Sequence, residues 1–185
     1  MTAAEAAKKL ASVTGGAVQE FRNESTVVVA ADRLVDGLTM CRDELGFNMM
    51  LDICSVDNSG EDPRFEVVYE LYSIDDGVHL RVKTTCTEDE PEVPTVSNLW
   101  PTANWHEREI YDMMGIRFTD HPDLRRILMW EGYPYYPLRK EFPLAGKDSV
   151  VEEVAFTAAA PLAGGPYVSS PGAGGSDSRE PRSRE

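Results

Sequence analysis

Apolar positions along this chain recur with two different spacings, and the switches between them outline the elements. Residues 3–13 predict a short amphipathic helix closed by the Gly15-Gly16 pair, and residues 17–22 and 26–30 predict two short strands about a turn at Asn23-Glu24. From Asp32 the spacing becomes helical: Leu34, Val35, Leu38, Cys41 and Leu45 fall near one face, with Asp32 as N-cap and Gly46 as stop. Three β-like runs follow at residues 48–56, 64–74 and 78–85, separated by the turn clusters Asp57-Asn58-Ser59-Gly60 and Asp75-Asp76-Gly77. In the second run Phe65, Val67, Tyr69 and Leu71 alternate with Glu66, Val68, Glu70 and Tyr72, so one face is buried and the other stays half polar. The pattern is that of an α+β fold, with helices packed on one mixed or antiparallel sheet.

Residues 88–94 form an acidic, proline-bounded connector, and beyond it the chain turns helical and aromatic. Asn104-Trp105-His106-Glu107 has the form of a capping box, so a helix is expected to start there and to end at Gly115. Along it Arg108 and Asp112 stand four apart, where opposite charges meet across one turn. The proline-rich run at residues 132–137 cannot continue a helix or a central strand. After residue 146 the composition drifts to Ala, Gly, Ser and Pro. The expected division is therefore an α/β body over 1–95, a signature helix with an extended docking arm over 96–146, and an irregular or disordered tail over 147–185.

Charge sharpens this division. The chain carries a net charge of −14, which excludes nucleic acid as a partner because phosphate binding needs clustered Lys and Arg. Residues 1–99 hold 19 acidic and 8 basic side chains, whereas residues 100–146 hold 7 and 6. That second region also gathers 9 of the 16 aromatic residues, the composition of an interface centre. No run of apolar residues is long enough to span a bilayer, and the first ten residues lack the apolar core of a signal peptide, so a cytosolic chain is expected.

Candidate chemistry is sparse. Cys41, Cys54 and Cys86 are odd in number and widely spaced, without a C-x-x-C pair, which argues against a disulfide framework, a zinc site or an iron–sulfur cluster held by this chain alone. No glycine-rich phosphate loop of either common form occurs. His121 has only His79 and His106 as distant companions and reads as a hydrogen-bonded structural residue. Glu107 and Glu109, two apart on a helix, face different ways and do not form an acid–base pair.

The run from Trp105 to Met129 nevertheless resembles the signature of the 30-kilodalton subunit family of respiratory complex I, with matches at Glu107, Arg108, Glu109, Asp112, Gly115, Phe118, His121, Pro122, Arg126 and Leu128. Residues 130–134 and 137–144, the latter Pro-Leu-Arg-Lys-Glu-Phe-Pro-Leu, look like the extended segment that follows in the same family, with Glu141 where Asp is usual. The resemblance implies a subunit of NADH–quinone oxidoreductase without catalytic residues or a cofactor of its own. Flavin mononucleotide and iron–sulfur clusters are then expected on partner subunits. The implied partners are the large quinone-site subunit and neighbouring iron–sulfur subunits, and the implied location is peripheral, on the cytoplasmic face of the cell membrane. Within the signature, Arg108 is expected to pair with Asp112 or with a partner's carboxylate, and Glu107 and Arg126 to make charge-assisted contacts that orient the arm. Membrane-bound hydrogenases and ferredoxin-dependent complexes share the signature, and a stand-alone binding module is the remaining alternative.

Overall fold

The structure, a computed structural model, describes residues 1–144. Helix α1 (Ala3–Thr14) opens with a full capping box, in which Thr2 and Glu5 exchange side-chain and backbone bonds, and closes at Gly15 with φ 73°. Strands β1 (Ala17–Phe21) and β2 (Glu24–Val28) follow as a tight antiparallel hairpin. Its two loop residues, Arg22 and Asn23, have φ of 51° and 66°, the left-handed pair that matches the twist of a two-residue hairpin.

Helix α2 (Leu34–Asp43) does not begin at Asp32 as expected. A 3-10 turn over Ala31–Arg33 precedes it, and no side chain caps its start. Gly46, with φ 76°, does redirect the chain, three residues past the helix end. Strands β3 (Met49–Asp57), β4 (Phe65–Ser73) and β5 (Val78–Cys86) form the expected antiparallel meander. Strand β2 joins β5 in parallel, giving a mixed five-stranded sheet in the order β1-β2-β5-β4-β3. The α+β class is borne out.

One sheet face presents Phe65, Val67, Tyr69, Leu71, Leu80 and Val82, which belong to one buried cluster with Leu10 of α1 and Leu34, Leu38 and Cys41 of α2. On the other face Glu70 lies opposite Arg81 and pairs with it, Arg81 also reaches Glu24 at 3.0 Å, and Lys83 meets Glu66 at 2.8 Å. A one-sided antiparallel sheet behaves this way. At the far end of β3 the carboxylate of Asp57 receives two bonds from Arg64, at 2.7 and 2.8 Å, in a buried bidentate pair. All three cysteines are unpaired; Cys41 and Cys86 are buried, and burial pushes the Cys41 thiol up to about 12.

Past the sheet, β6 (Glu92–Pro94), helix α3 (Ala103–Met114) and β7 (Arg117–Thr119) complete the regular structure. β6 and β7 pair in parallel as a second small sheet, an element that the connector reading did not anticipate. Val93, Val96, Trp100, Ile110, Met114, Ile116 and Phe118 belong to the same buried cluster as the main sheet, so a boundary at residue 95 cuts through one core. The chain divides instead into a unit of Met1–Tyr136 and one starting at Pro137. Of the latter, residues 137–144 are described and consist of turns, with the Phe142 N–H donating to the Arg139 carbonyl at 3.0 Å. The expected tail over 147–185 lies outside the described residues.

Gly37 sets how closely α2 approaches α1. A Cβ at this position would stand 2.9 Å from Thr14 Cγ2 and 3.2 Å from Leu10 Cδ1. Thr14 cannot easily turn away, because its hydroxyl donates to the Leu10 carbonyl at 2.9 Å and accepts from the Gly16 N–H at 3.3 Å. Gly37→Ala is therefore expected to destabilise the protein by about 1–3 kcal/mol in urea denaturation, although alanine is the better helix former by about 1 kcal/mol. A more stable variant would mean that the two helices have room to separate.

Candidate functional site

Helix α3 turns Glu107, Arg108 and Asp112 inward, and this governs everything around the signature. Thr102 is its N-cap position and makes no side-chain bond, so Asn104 lies within the first turn and no capping box forms at Asn104. The Glu107 carboxylate is committed elsewhere. Its Oε1 accepts from the Val96 N–H at 2.7 Å and its Oε2 from the Thr95 hydroxyl, which ties α3 to the segment after β6. The C-terminal end is as expected: Gly115, with φ 76°, closes the helix.

Asp112 is fully buried and does not pair with Arg108. One carboxylate oxygen accepts from Arg126 Nη1 at 2.8 Å, and the other accepts from three successive backbone N–H groups, those of Ile127 (3.0 Å), Leu128 (2.6 Å) and Met129 (2.9 Å). Burial alone would raise the Asp112 pKa; the backbone bonds from Met129, Leu128 and Ile127, with Arg126, outweigh it and hold the carboxyl below the usual range. The stabilisation this brings is present above that usual range and is lost as pH falls through the depressed value. Arg126 continues the network, donating to the carbonyls of Asp112 (3.1 Å) and Tyr135 (3.2 Å), with its guanidinium 5.1 Å from the Tyr136 ring and 5.9 Å from that of Tyr133. Trp130, Tyr133 and Tyr135 meet edge to face, with centroids 5.5 and 5.6 Å apart. A segment without helix or strand is thus fixed by one carboxylate and one guanidinium.

Arg108 is buried too. Its guanidinium lies 4.9 Å from the Trp105 ring centroid, and its Nε donates to the Arg125 carbonyl at 3.2 Å. His121 accepts from the Asp123 N–H at Nδ1 (3.0 Å), so the proton of its neutral ring sits on Nε2, 3.3 Å from the Asn104 carbonyl and 3.7 Å from Glu107 Oε2. Burial lowers the His121 pKa, the Asn104 carbonyl opposes this, and the positive charge of Arg108 adds to it. Phe118 is buried in β7. Glu109, Pro122 and Leu128 are exposed.

The structure therefore gathers Glu107, Arg108, Asp112, His121 and Arg126 around one helix and leaves Glu109 and Pro122 at the surface. Sequence reasoning missed Thr95, Val96 and Tyr69, which share the interior with Glu107. Burial, and then the nearby Glu107 charge, raise the Tyr69 pKa well above the usual phenol range. Among the described residues no three His, Cys, Asp or Glu side chains converge as metal ligands. No described helix is long and apolar enough to cross a membrane. The arrangement is suited to holding an irregular segment in a defined shape.

Burial pushes the Glu107 carboxyl from 4.5 up to about 7, against the bonds from Thr95 and Val96, which favour the charged form. Its native form binds a proton more tightly than the unfolded chain does, so this contribution is complete below pH 4.5 and is lost as pH rises to about 7. Glu107→Gln removes that dependence, and the Thr95 hydroxyl can turn to accept from the new amide. Between pH 5 and pH 8 the variant is expected to gain on the order of 2–3 kcal/mol relative to the native sequence in paired urea titrations. Parallel pH profiles would show that Glu107 ionises normally.

Residues 27–148 match the family model described as respiratory-chain NADH dehydrogenase, 30 Kd subunit. An NADH-quinone oxidoreductase subunit from Geotalea uraniireducens is 49% identical over 131 residues, 71% of this chain and 80% of that protein. Its counterpart in Geobacter sulfurreducens is 47% identical over 132 residues, covering 71% and 82%. Among solved structures, a trypsin-resistant fragment of Nqo5 aligns with a TM-score of 0.61 and 33% identity, over 66% of this chain and all of that one. A chain of the membrane-bound sulfane sulfur reductase, an archaeal respiratory membrane complex, aligns with a TM-score of 0.66 and 26% identity, over 76% and 85%. Carrying that family's match through the sheet, α3 and the segment gathered by Asp112, the chain belongs to the family of the 30-kilodalton subunit of respiratory-chain NADH dehydrogenase.

Proposed function

We propose that this chain is a non-catalytic peripheral-arm subunit of a proton-translocating NADH–quinone oxidoreductase, where it scaffolds the quinone-reducing module. The reading is carried by the family match over residues 27–148, which contains the whole Asp112–Arg126 network. In this role the segment over 96–146 docks against the large quinone-site subunit, beside the iron–sulfur subunits, on the cytoplasmic face of the membrane. Flavin and clusters are carried by those partners, and electrons pass through them to quinone. Two features support docking through this region: Trp105 is 62% exposed and Leu128 59% exposed, close to a loop held rigid by buried charge.

The likeness to the sulfane sulfur reductase chain favours a second reading, the equivalent subunit of a related respiratory membrane complex with another electron donor or acceptor. Gentle detergent extraction, affinity purification of this chain, mass spectrometry and an NADH-to-quinone assay separate the readings. Recovery of iron–sulfur subunits with NADH–quinone activity is expected. Recovery of hydrogenase or sulfur-reductase subunits would move the chain to that relative, and elution as a lone 20.5 kDa protein would leave a stand-alone module.

A further inference from the structure

Beside α3 runs a groove of about 730 Å³ whose walls include Trp105, Tyr111, Leu124 and Ile127. Three arginines line it, and two have carboxylates of their own: Arg126 meets Asp112 at 2.8 Å and Arg125 meets Asp123 at 3.0 Å. Arg108 differs. It is only 6% exposed, yet among the described residues no carboxylate lies within 4.0 Å of its guanidinium, whose contacts are the Trp105 ring and the Arg125 carbonyl. A guanidinium withdrawn from water loses hydration that one carbonyl and one ring do not replace, and a carboxylate bound in its fork would complete it. Glu131, at the exposed rim of the groove, has no ion pair with Arg108.

Resting on the docking role proposed above, we infer that this groove receives a short segment of another subunit in which an aspartate or glutamate stands beside an apolar side chain. The carboxylate binds Arg108, and the apolar neighbour packs against Trp105 and Leu124. Charge selects the occupant. A second copy of this chain brings a net charge of −14 against an equally acidic body, so like-charge repulsion opposes self-docking. A free phosphate would satisfy the cation but leave the aromatic and aliphatic walls uncovered. The planar guanidinium donates two parallel bonds to a carboxylate, which fixes the register of the incoming segment as well as its charge.

The test uses the full chain in its native complex, with a photo-crosslinking phenylalanine analogue in place of Leu128, an exposed residue next to Ile127 of the groove wall. Mass spectrometry of the crosslink is expected to find a partner-subunit peptide with Asp or Glu within about two residues of the captured position. Arg108→Glu is expected to reduce recovery of that partner at least about tenfold, and reversing the captured acid to Arg in the partner is expected to restore it. Rescue by the reversed charge separates a lost contact from a misfolded variant. Capture of lipid, of a second copy or of a peptide without an acid overturns the inference, as does normal assembly of Arg108→Glu. If the unaltered chain recovers no other subunit, the docking role falls as well; intact assembly of Arg108→Glu overturns this inference alone.

Discussion

A carboxylate taken out of water needs donors on all sides, and Asp112 finds them in a stretch of chain that has no other means of holding its shape. Three consecutive N–H groups and one guanidinium converge on it. Every donor comes from residues 126–129, so one helical side chain determines the path of a loop. Arg126 passes the constraint on to the Tyr135 carbonyl and to two aromatic rings. Without the carboxylate the three amides would lose their acceptor and Arg126 its ion-pair partner.

Glu107 performs the matching task one turn earlier, on the opposite flank of the same helix, by binding the Thr95 hydroxyl and the Val96 amide. Helix α3 is thus pinned to the chain before it and to the chain after it by buried acids, while Ile110 and Met114 seat it in the core beneath the sheet. The protein meets its surroundings through two contrasting surfaces. The outer sheet face is a lattice of paired charges, and the α3 face combines exposed apolar groups with a guanidinium that has no carboxylate within 4.0 Å among the described residues. Only the second has the character of an interface centre.

The sheet was legible in the sequence wherever information was local. Strands β3, β4 and β5 fall within one residue of the expected runs at every end, because period-two alternation and the intervening Asp, Asn and Gly clusters act over a few positions. The partners of the charged residues were not legible. The capping-box pattern at Asn104 and the four-residue spacing of Arg108 and Asp112 both suggested bonds within the helix, yet Glu107 and Asp112 are satisfied by segments 11 to 12 and 14 to 17 residues away. Most of their donors are backbone amides, which carry no sequence signal. The β6–β7 pairing was hidden for a similar reason: three residues make no periodicity, and the two strands meet only because α3 returns the chain to β6. The resemblance over Trp105–Met129 marked the right region without revealing which of its residues hold one another.

Hydrogen exchange at the Ile127, Leu128 and Met129 amides of Asp112→Ala, measured alongside recovery of partner subunits, tests whether this carboxylate shapes the docking loop. A folded sheet, rapid exchange at those three amides and loss of the partners are expected together. Amides that stay protected without the carboxylate, or full assembly with the amides released, would contradict that role.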